Sequence, residues 1–334
     1  MKSKNCVTGS TEKELVLIME ITDPRPVTDF QKTTFCGHPR AHVRKVLIQT
    51  IQLGHADYAC YWTLELLCSG LVHSLWASLF EAAALHINRA QPNVFLYLAK
   101  AYEKYAPIED TYDIQNMTRI RNHPDVRRMV CEVAATLALC RKNKLATLPT
   151  MKPAHDFNPV TIQESLKSPS RLYGTQVIRP SDPMPVAVPI NEFCYCIRSD
   201  VRDLTRAMYW MSWVFTFCRE HKKQTKTNLL FAPRTDEYVS GGDSTHPVWI
   251  FWDAIRKNSP PAVREYIDVL YRIHSLRWTP ADKGKRALLI AAITLLCEGS
   301  LDTTPCEPTM QVSNVLNGMP GWIDAIVKMQ KSFA

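Results

Sequence analysis

The sequence predicts an all-α protein: two multi-helix bundles joined by a long proline-rich extended segment. Three observations predict it. Glycine is scarce, at 11 of 334 residues, whereas all-β chains need glycine at many turns. Apolar residues recur at helical spacing over two long stretches, cut by Gly, Asn and Pro punctuation. Between those stretches, Lys144 to Asn191 holds eight prolines (Pro149, Pro153, Pro159, Pro169, Pro180, Pro183, Pro185 and Pro189), which leaves no room for a helix of normal length.

The elements follow in order. Thr11-Glu12-Lys13-Glu14 reads as a capping box opening a short helix through Ile21. The Leu15–Ile21 run reads equally as a strand, and Asp23-Pro24-Arg25-Pro26 ends either. From Ala41 the pattern is helical: Val43, Val46, Leu47, Thr50, Ile51 and Leu53 form one stripe, stopped at Gly54. Further helices are expected over 56–68, 72–88, 94–105 (ending at Pro107) and from His123-Pro124 to Lys142, with proline in the first turn. The proline-rich stretch carries Met151, Phe157, Leu172, Tyr173 and Val177, enough apolar surface to dock on a helical face. Helices resume over 200–221, 246–256, 261–276, 280–298 and 320–331, with a polar loop at Gly241-Gly242. The expected divisions are an N-terminal extension (1–40), a first bundle (41–143), the connector (144–197) and a second bundle (198–334).

The halves share features. Ala59-Cys60-Tyr61-Trp62 reappears 148 residues on as Ala207-Met208-Tyr209-Trp210, and Arg128–Leu137 resembles Arg286–Leu295 at an offset of 158. Either the chain is a degenerate tandem duplication, or aromatic and alanine-rich helices recur by chance. On both readings Tyr61, Trp62, Tyr209 and Trp210 are expected to be packing anchors, large apolar groups whose polar tips need partners.

Composition bounds the function. Apolar residues are 46% and charged residues 22% of the chain, ordinary globular values that exclude whole-chain disorder. The formal charge is +8, which admits nucleic acid or an acidic partner without requiring either. Eleven cysteines, an odd number, sit largely inside apolar helices, so a reducing, intracellular compartment is expected. The polar start, Met1–Ser10, lacks a signal-peptide core, and the longest apolar run, Ala287–Cys297, is too short for a bilayer. No membrane association is expected.

Catalytic signals are sparse. Neither GxxxxGK[ST] nor GxGxxG occurs, and Gly241-Gly242-Asp243-Ser244-Thr245-His246 lacks the lysine and reads as a flexible loop. Cys36-Gly37-His38 with His42, even joined by Cys194-Tyr195-Cys196, falls short of the paired clusters a structural zinc needs. Glu65, Glu81, Glu132 and Asp253 lie near apolar faces at no spacing that suits acid/base work. No catalytic residue, cofactor or metal is therefore expected. Basic residues are more suggestive. Those around Arg141 and Arg219 close helices and suit the macrodipole. Those at helix starts do not. Arg119, Arg121, Arg127, Arg128, Lys142, Lys283, Lys285 and Arg286 are the candidate contacts for phosphate or an acidic partner, against the alternative of a solvated face.

The stretch from Ala56 to Lys144 resembles the helical region that follows the ATPase module in the MgsA/RarA (Werner-helicase-interacting) branch of clamp-loader-like proteins. Ala59, Tyr61 and Trp62 match its A-x-Y-W helix. Ser69-Gly70 matches a small-Gly turn, and Gln91-Pro92 a helix ending near proline. Leu137-Ala138-Leu139-Cys140-Arg141-Lys142 is similar to its closing helix. The family's Ser-Glu-Asp-Ile-Gly segment is replaced by the residues from Glu81 to Asn88, and the ATPase module is missing. The resemblance covers about a quarter of the chain and implies a collar or oligomerisation element of replication and repair machinery, of a kind met in large DNA viruses. The expected function is a non-enzymatic accessory factor of DNA replication or repair, acting through self-association or protein partners and basic surfaces. The alternative is a structural or scaffold protein of a virion or large assembly that binds only protein. Residues converging on a pocket would favour an enzyme instead.

Overall fold

The computed structural model describes residues 20–114, 116–298 and 302–333. It is all-helical: the described residues contain fourteen α-helices and no strand, with one isolated bridge between Thr33 and Pro39. The capping box and most of the helix-or-strand alternative at Leu15–Ile21 lie outside the described residues. No helix among them is long and apolar enough to cross a membrane.

The chain divides into two compact units. Unit 1 comprises residues 1–87, 96–142 and 304–334, and unit 2 residues 88–95 and 143–303. This differs from the expected divisions at two places. The C-terminal helices belong with the first bundle, and the proline-rich segment belongs to the second.

Unit 1 holds α1 (Arg40–Leu53), α2 (Ala56–Cys68), α3 (Val72–His86), most of α4 (Asn93–Glu109) and α5 (Pro124–Leu139), then α13 (Met310–Leu316) and α14 (Met319–Phe333). Gly54 ends α1 at φ 78°, a left-handed cap that glycine adopts without strain, and its N–H donates to Ile51 O. α2 and α5 form the centre, burying Ala59, Cys60, Leu64 and Leu67 against Val130, Ala134 and Leu137, while α13 packs on α5 and α14 on α2. Pro107 falls inside α4, so this helix runs past the proline expected to stop it.

Unit 2 holds α6 (Pro153–Asp156), α7 (Pro159–Ser165), α8 (Ala187–Cys196), α9 (Leu204–Thr225), α10 (Val248–Asn258), α11 (Pro261–Ser275) and α12 (Lys283–Cys297). The connector is therefore not an extended strap. Pro153 and Pro159 start helices, and Pro189 is the third residue of α8. A first-turn amide has no intrahelical acceptor, so proline costs little there. The segment does dock, on its own unit. Trp213 Nε1 donates to Asp156 O at 2.9 Å. Glu192 accepts from the amides of Lys167 and Ser168. Buried Arg234 pairs with Asp182 at 2.8 Å and Asp253 at 3.0 Å.

The units repeat one plan. In unit 1, α1 packs on α2 and α3, and α5 on α2 and α3; in unit 2, α8 packs on α9 and α10, and α12 on α9 and α10. The aromatic cores match at a central tryptophan and its two partners. Buried Trp76 on α3 has Tyr102 and Tyr105 of α4 at 5.2 Å between ring centroids. Buried Trp252 on α10 has Tyr271 at 5.4 Å and His274 at 5.1 Å on α11. Tyr97, Tyr102 and Tyr105 precede Tyr266, Tyr271 and His274 by the same 169 residues. The first turn of the fifth helix holds a buried cation in each unit, Arg127 and Lys285, at the offset of 158 read from the sequence. These matched positions are the pattern a tandem duplication leaves. The expected anchors behave unequally: Trp210 is fully buried, whereas Tyr61, Trp62 and Tyr209 are half-buried. The Tyr61 and Trp62 rings meet edge-on at 5.1 Å, and Trp62 meets His38 at 5.4 Å.

Candidate anion-binding cavity

Unit 2 holds an open cavity of about 670 Å³, walled by residues 148–151, α9, residues 228–230, the turn before α10, the end of α11 and the first turns of α12. α9 brings Ser212, Phe215, Arg219 and Lys222 to it because these lie three to four residues apart on one helical face. Asp203 caps the start of that helix by accepting from Arg206 N at 3.0 Å. His246 enters from the turn before α10. The Gly241–Thr245 stretch, expected to be a flexible loop, is a 3₁₀ turn pinned by Trp249 Nε1 donating to Asp243 O at 2.8 Å. The end of α11 and the turn after it supply His274 and Trp278, and α12 supplies Lys285 and Arg286.

Four cations and two carboxylates, Asp243 and Asp282, line this space. Asp282 is engaged as the cap of α12, accepting from Gly284 N at 2.9 Å, so it partly satisfies the helix terminus that an anion would otherwise use. Lys285 is buried, with 7% exposure, and its ammonium donates to Ile273 O and Leu276 O, both at 2.8 Å. Burial pushes it down to about 8. The remaining three cations are exposed. Arg286 lies 5.6 Å over the Phe215 ring, Arg219 has Glu220 at 3.6 Å, and neither Lys222 nor Arg286 has an ion-pair partner among the described residues.

The lining includes buried polar side chains. Ser212, 6% exposed, has no hydrogen-bond partner for Oγ, and His274, 1% exposed, has none for Nδ1. An unpartnered buried polar atom costs about 1–3 kcal/mol, so two in one cavity mark a place where a ligand can compensate. Burial, then the charges of Lys285 and His246, holds His274 well below the ordinary imidazole value. Burial and then Arg286 hold His246 at about 4. The Val248 amide donates to His246 Nδ1 at 3.1 Å, which leaves the proton on Nε2 as a neutral donor. His246 and Trp278 rings lie 4.7 Å apart. Cys218, also in the lining, is pushed up to about 12 by burial. Cations, neutral imidazole and an aromatic face suit the binding of an anionic, partly aromatic ligand.

The eight basic residues expected to contact phosphate separate sharply. Arg286 faces the cavity. Arg121 and Arg127, with 2% and 1% exposure, are buried. Arg121 donates to Cys68 O at 2.8 Å and to Asp23 O at 3.1 Å, and Arg127 to Arg121 O and Asn122 Oδ1. They hold unit 1 together and cannot meet a phosphate. Lys142 donates to Leu137 O, Ala138 O and Cys140 O, closing α5 as a C-terminal cation. Lys285 is likewise engaged with carbonyls. Arg119 and Arg128 are exposed on unit 1, outside the cavity, and Lys283 opens α12. Arg219 and Lys222, assigned from the sequence to the macrodipole alone, are brought to the cavity. Ser212, His246, His274 and Trp278 gave no sequence signal, since isolated polar residues on a buried face read as core.

The corresponding place in unit 1 is filled. The Phe35 amide donates to Ser69 Oγ at 2.8 Å, Arg121 reaches the end of α2, and a Cβ at Gly70 would meet Thr118 at 3.2 Å. Fourteen residues, 110–123, join α4 to α5, whereas only seven, 276–282, join α11 to α12. Unit 2 lacks the insertion that closes unit 1. Among the described residues no group of three or more His, Cys, Asp or Glu is set to hold a metal. No protein-family model, curated protein or solved structure matches this chain.

Proposed function

We propose that the chain is a non-enzymatic accessory factor that faces nucleic acid, and that the cavity of unit 2 receives the phosphates and an unstacked base of a single strand. The observation that carries this is the convergence of Arg219, Lys222 and Arg286 on a cavity whose lining includes Ser212 and His274, with Oγ and Nδ1 unpartnered. Exposed cations track a phosphate backbone, and Trp278 with His246 offers a stacking face, the combination that single-strand binders use. The volume of about 670 Å³ lies within the range of small-molecule sites. The replication or repair setting rests on the resemblance carried by Ala59, Tyr61 and Trp62. The scaffold reading loses its motivation, because the proline-rich segment is already seated on α9 and α10 of its own unit, through Trp213 to Asp156 O and Arg179 to Asp253.

The test is fluorescence anisotropy with labelled single- and double-stranded oligonucleotides at low salt. The expected result is preference for the single strand, lost in the R219E/R286E double variant while its helical circular dichroism is retained. Absence of binding by the unaltered protein at low salt, or equal binding by the double variant, refutes the proposal.

A further inference from the structure

We infer that Cys140 and Cys306 form a reversible disulfide under peroxide, tying the C-terminal segment of unit 1 to the end of α5. Both residues belong to unit 1, and their Sγ atoms lie 3.7 Å apart. Neither is locked in a helix. Cys140 follows α5 with extended backbone (φ −59°, ψ 153°), and Cys306 sits in the coil before α13. A disulfide needs its sulfurs about 2 Å apart, and the coil can supply the small approach that remains. Cys306 is partly exposed and Cys140 is buried, so a small oxidant reaches the Cys140 sulfur past Cys306, 3.7 Å away.

The flanking cations Lys142 and Arg141 favour Cys140 as the reacting thiolate of the pair. The hydrogen bond from Cys306 favours its charged form first, and Lys142 and Arg141 add positive charge, so Cys140 is held below the ordinary thiol value despite burial. The Lys142 ammonium also covers the carbonyls at this end of α5, which would otherwise repel a thiolate. Burial has the opposite result for Cys68, Cys194, Cys218 and Cys297, all pushed up to about 12. Thiolate character governs oxidation rate, so the pair should react before these.

The Cys140 thiolate attacks one oxygen of hydrogen peroxide and breaks the O–O bond. This gives a sulfenic acid and hydroxide, which takes a proton to become water. The Cys306 sulfur then attacks the sulfenic sulfur, forms S–S and expels hydroxide, which takes the Cys306 proton as a second water. Two thiols are oxidised by two electrons and one peroxide is reduced. The product fixes residues 306–333, which carry α13 and α14, to the helix against which α13 packs.

The experiment treats the full chain with graded peroxide, blocks remaining thiols by alkylation and maps peptides without reduction. The expected result is a fall from 11 to 9 alkylatable thiols, with a Cys140–Cys306 peptide pair about 2 Da lighter than its separate parts, restored by dithiothreitol. In Cys306→Ser, Cys140 should instead accumulate as a dimedone-reactive sulfenic acid. In Cys140→Ser, Cys306 should stay alkylatable. Thermal melts of both variants before oxidation establish that they fold. Retention of both thiols at doses that oxidise other cysteines overturns the inference. So does preferential linkage of the buried neighbours Cys60 and Cys131, or the absence of a dimedone adduct in folded Cys306→Ser.

Discussion

Replacing Arg286 by glutamine should flatten the salt dependence of single-strand binding by one cation's share. Three exposed cations, Arg219, Lys222 and Arg286, face the cavity of unit 2, while Lys285 is occupied by two backbone carbonyls. Each phosphate neutralised on a single strand contributes about −0.7 to the slope of log K against log salt, so three contacts give a slope of about −2. Between about 50 and 200 mM salt, affinity should fall roughly 18-fold for the unaltered protein and roughly 7-fold for Arg286→Gln. The assay is anisotropy of a short labelled oligonucleotide across that range. Arg128→Gln is the control: Arg128 is equally exposed and corresponds to Arg286 by sequence offset, but it lies on unit 1 outside the cavity. Its slope should match the unaltered protein. If Arg286→Gln leaves the slope unchanged, or if Arg128→Gln lowers it as much, the cations act as a diffuse field and the cavity is not the binding site.

Three further outcomes follow from buried groups. Lys285, held at about 8 by burial, has lost its proton in the folded chain between about pH 8 and 10.5, while the unfolded chain still holds it. Stability should therefore rise with pH across that window, by on the order of 2–3 kcal/mol. The difference in urea midpoint between the unaltered protein and Lys285→Met, followed against pH, should show this rise, and a fall would contradict it. Arg127→Met removes the donors to Arg121 O and Asn122 Oδ1. It should cost about 2–4 kcal/mol in chemical denaturation without altering the salt slope, since a cation this buried contacts no ligand. Trp76→Ala and Trp252→Ala remove matched core rings and should each cost about 3–5 kcal/mol by the same assay; a mild effect at one of them would show that the two aromatic cores are not equivalent.

Much of the helix plan was legible because its punctuation is local. Ala56–Cys68 was bounded by Gly54 and Ser69-Gly70, and Pro124 and Pro261 marked helix starts. Pro153, Pro159 and Pro189 also sit in first turns, but no long apolar stripe follows them to mark a helix. Crowding of prolines reads as an extended chain, yet three of them stand in the first turns of helices. The site was less legible, because a cation's role depends on what lies opposite it. Arg127 and Arg286 stand in similar sequence surroundings at the starts of equivalent helices. One is buried under carbonyls and the other faces a cavity, and the difference lies one residue around the helix. The repeat was sought in the Tyr-Trp pairs, where burial proved unequal. Its clearer trace, three aromatic positions at a constant offset of 169, spans a Tyr-to-His change at Tyr105 and His274 that hides it from a search for identity.

That change of side chain and the shortened connection together argue that the second unit, rather than the first, carries the binding role. A bundle core closes where its loops and side chains fill the space between helices. Unit 1 does so with Phe35, Thr118 and Arg121 at the end of α2: the Phe35 amide donates to Ser69 Oγ, Arg121 donates to Cys68 O, and Thr118 fills the space beside Gly70. Unit 2 has seven residues where unit 1 has fourteen, and it places imidazole where unit 1 has phenol. Left open, that cavity exposes apolar side chains such as Phe215, Leu229 and Trp278 to solvent and keeps two buried polar atoms without protein partners, a burden of about 1–3 kcal/mol for each of the latter. Apolar substitution at Ser212 and His274 would remove the burden at little steric change. A fold that instead rings the opening with three exposed cations has an arrangement that is unfavourable for the empty bundle and favourable once an anion with hydrogen-bonding edges is inside it.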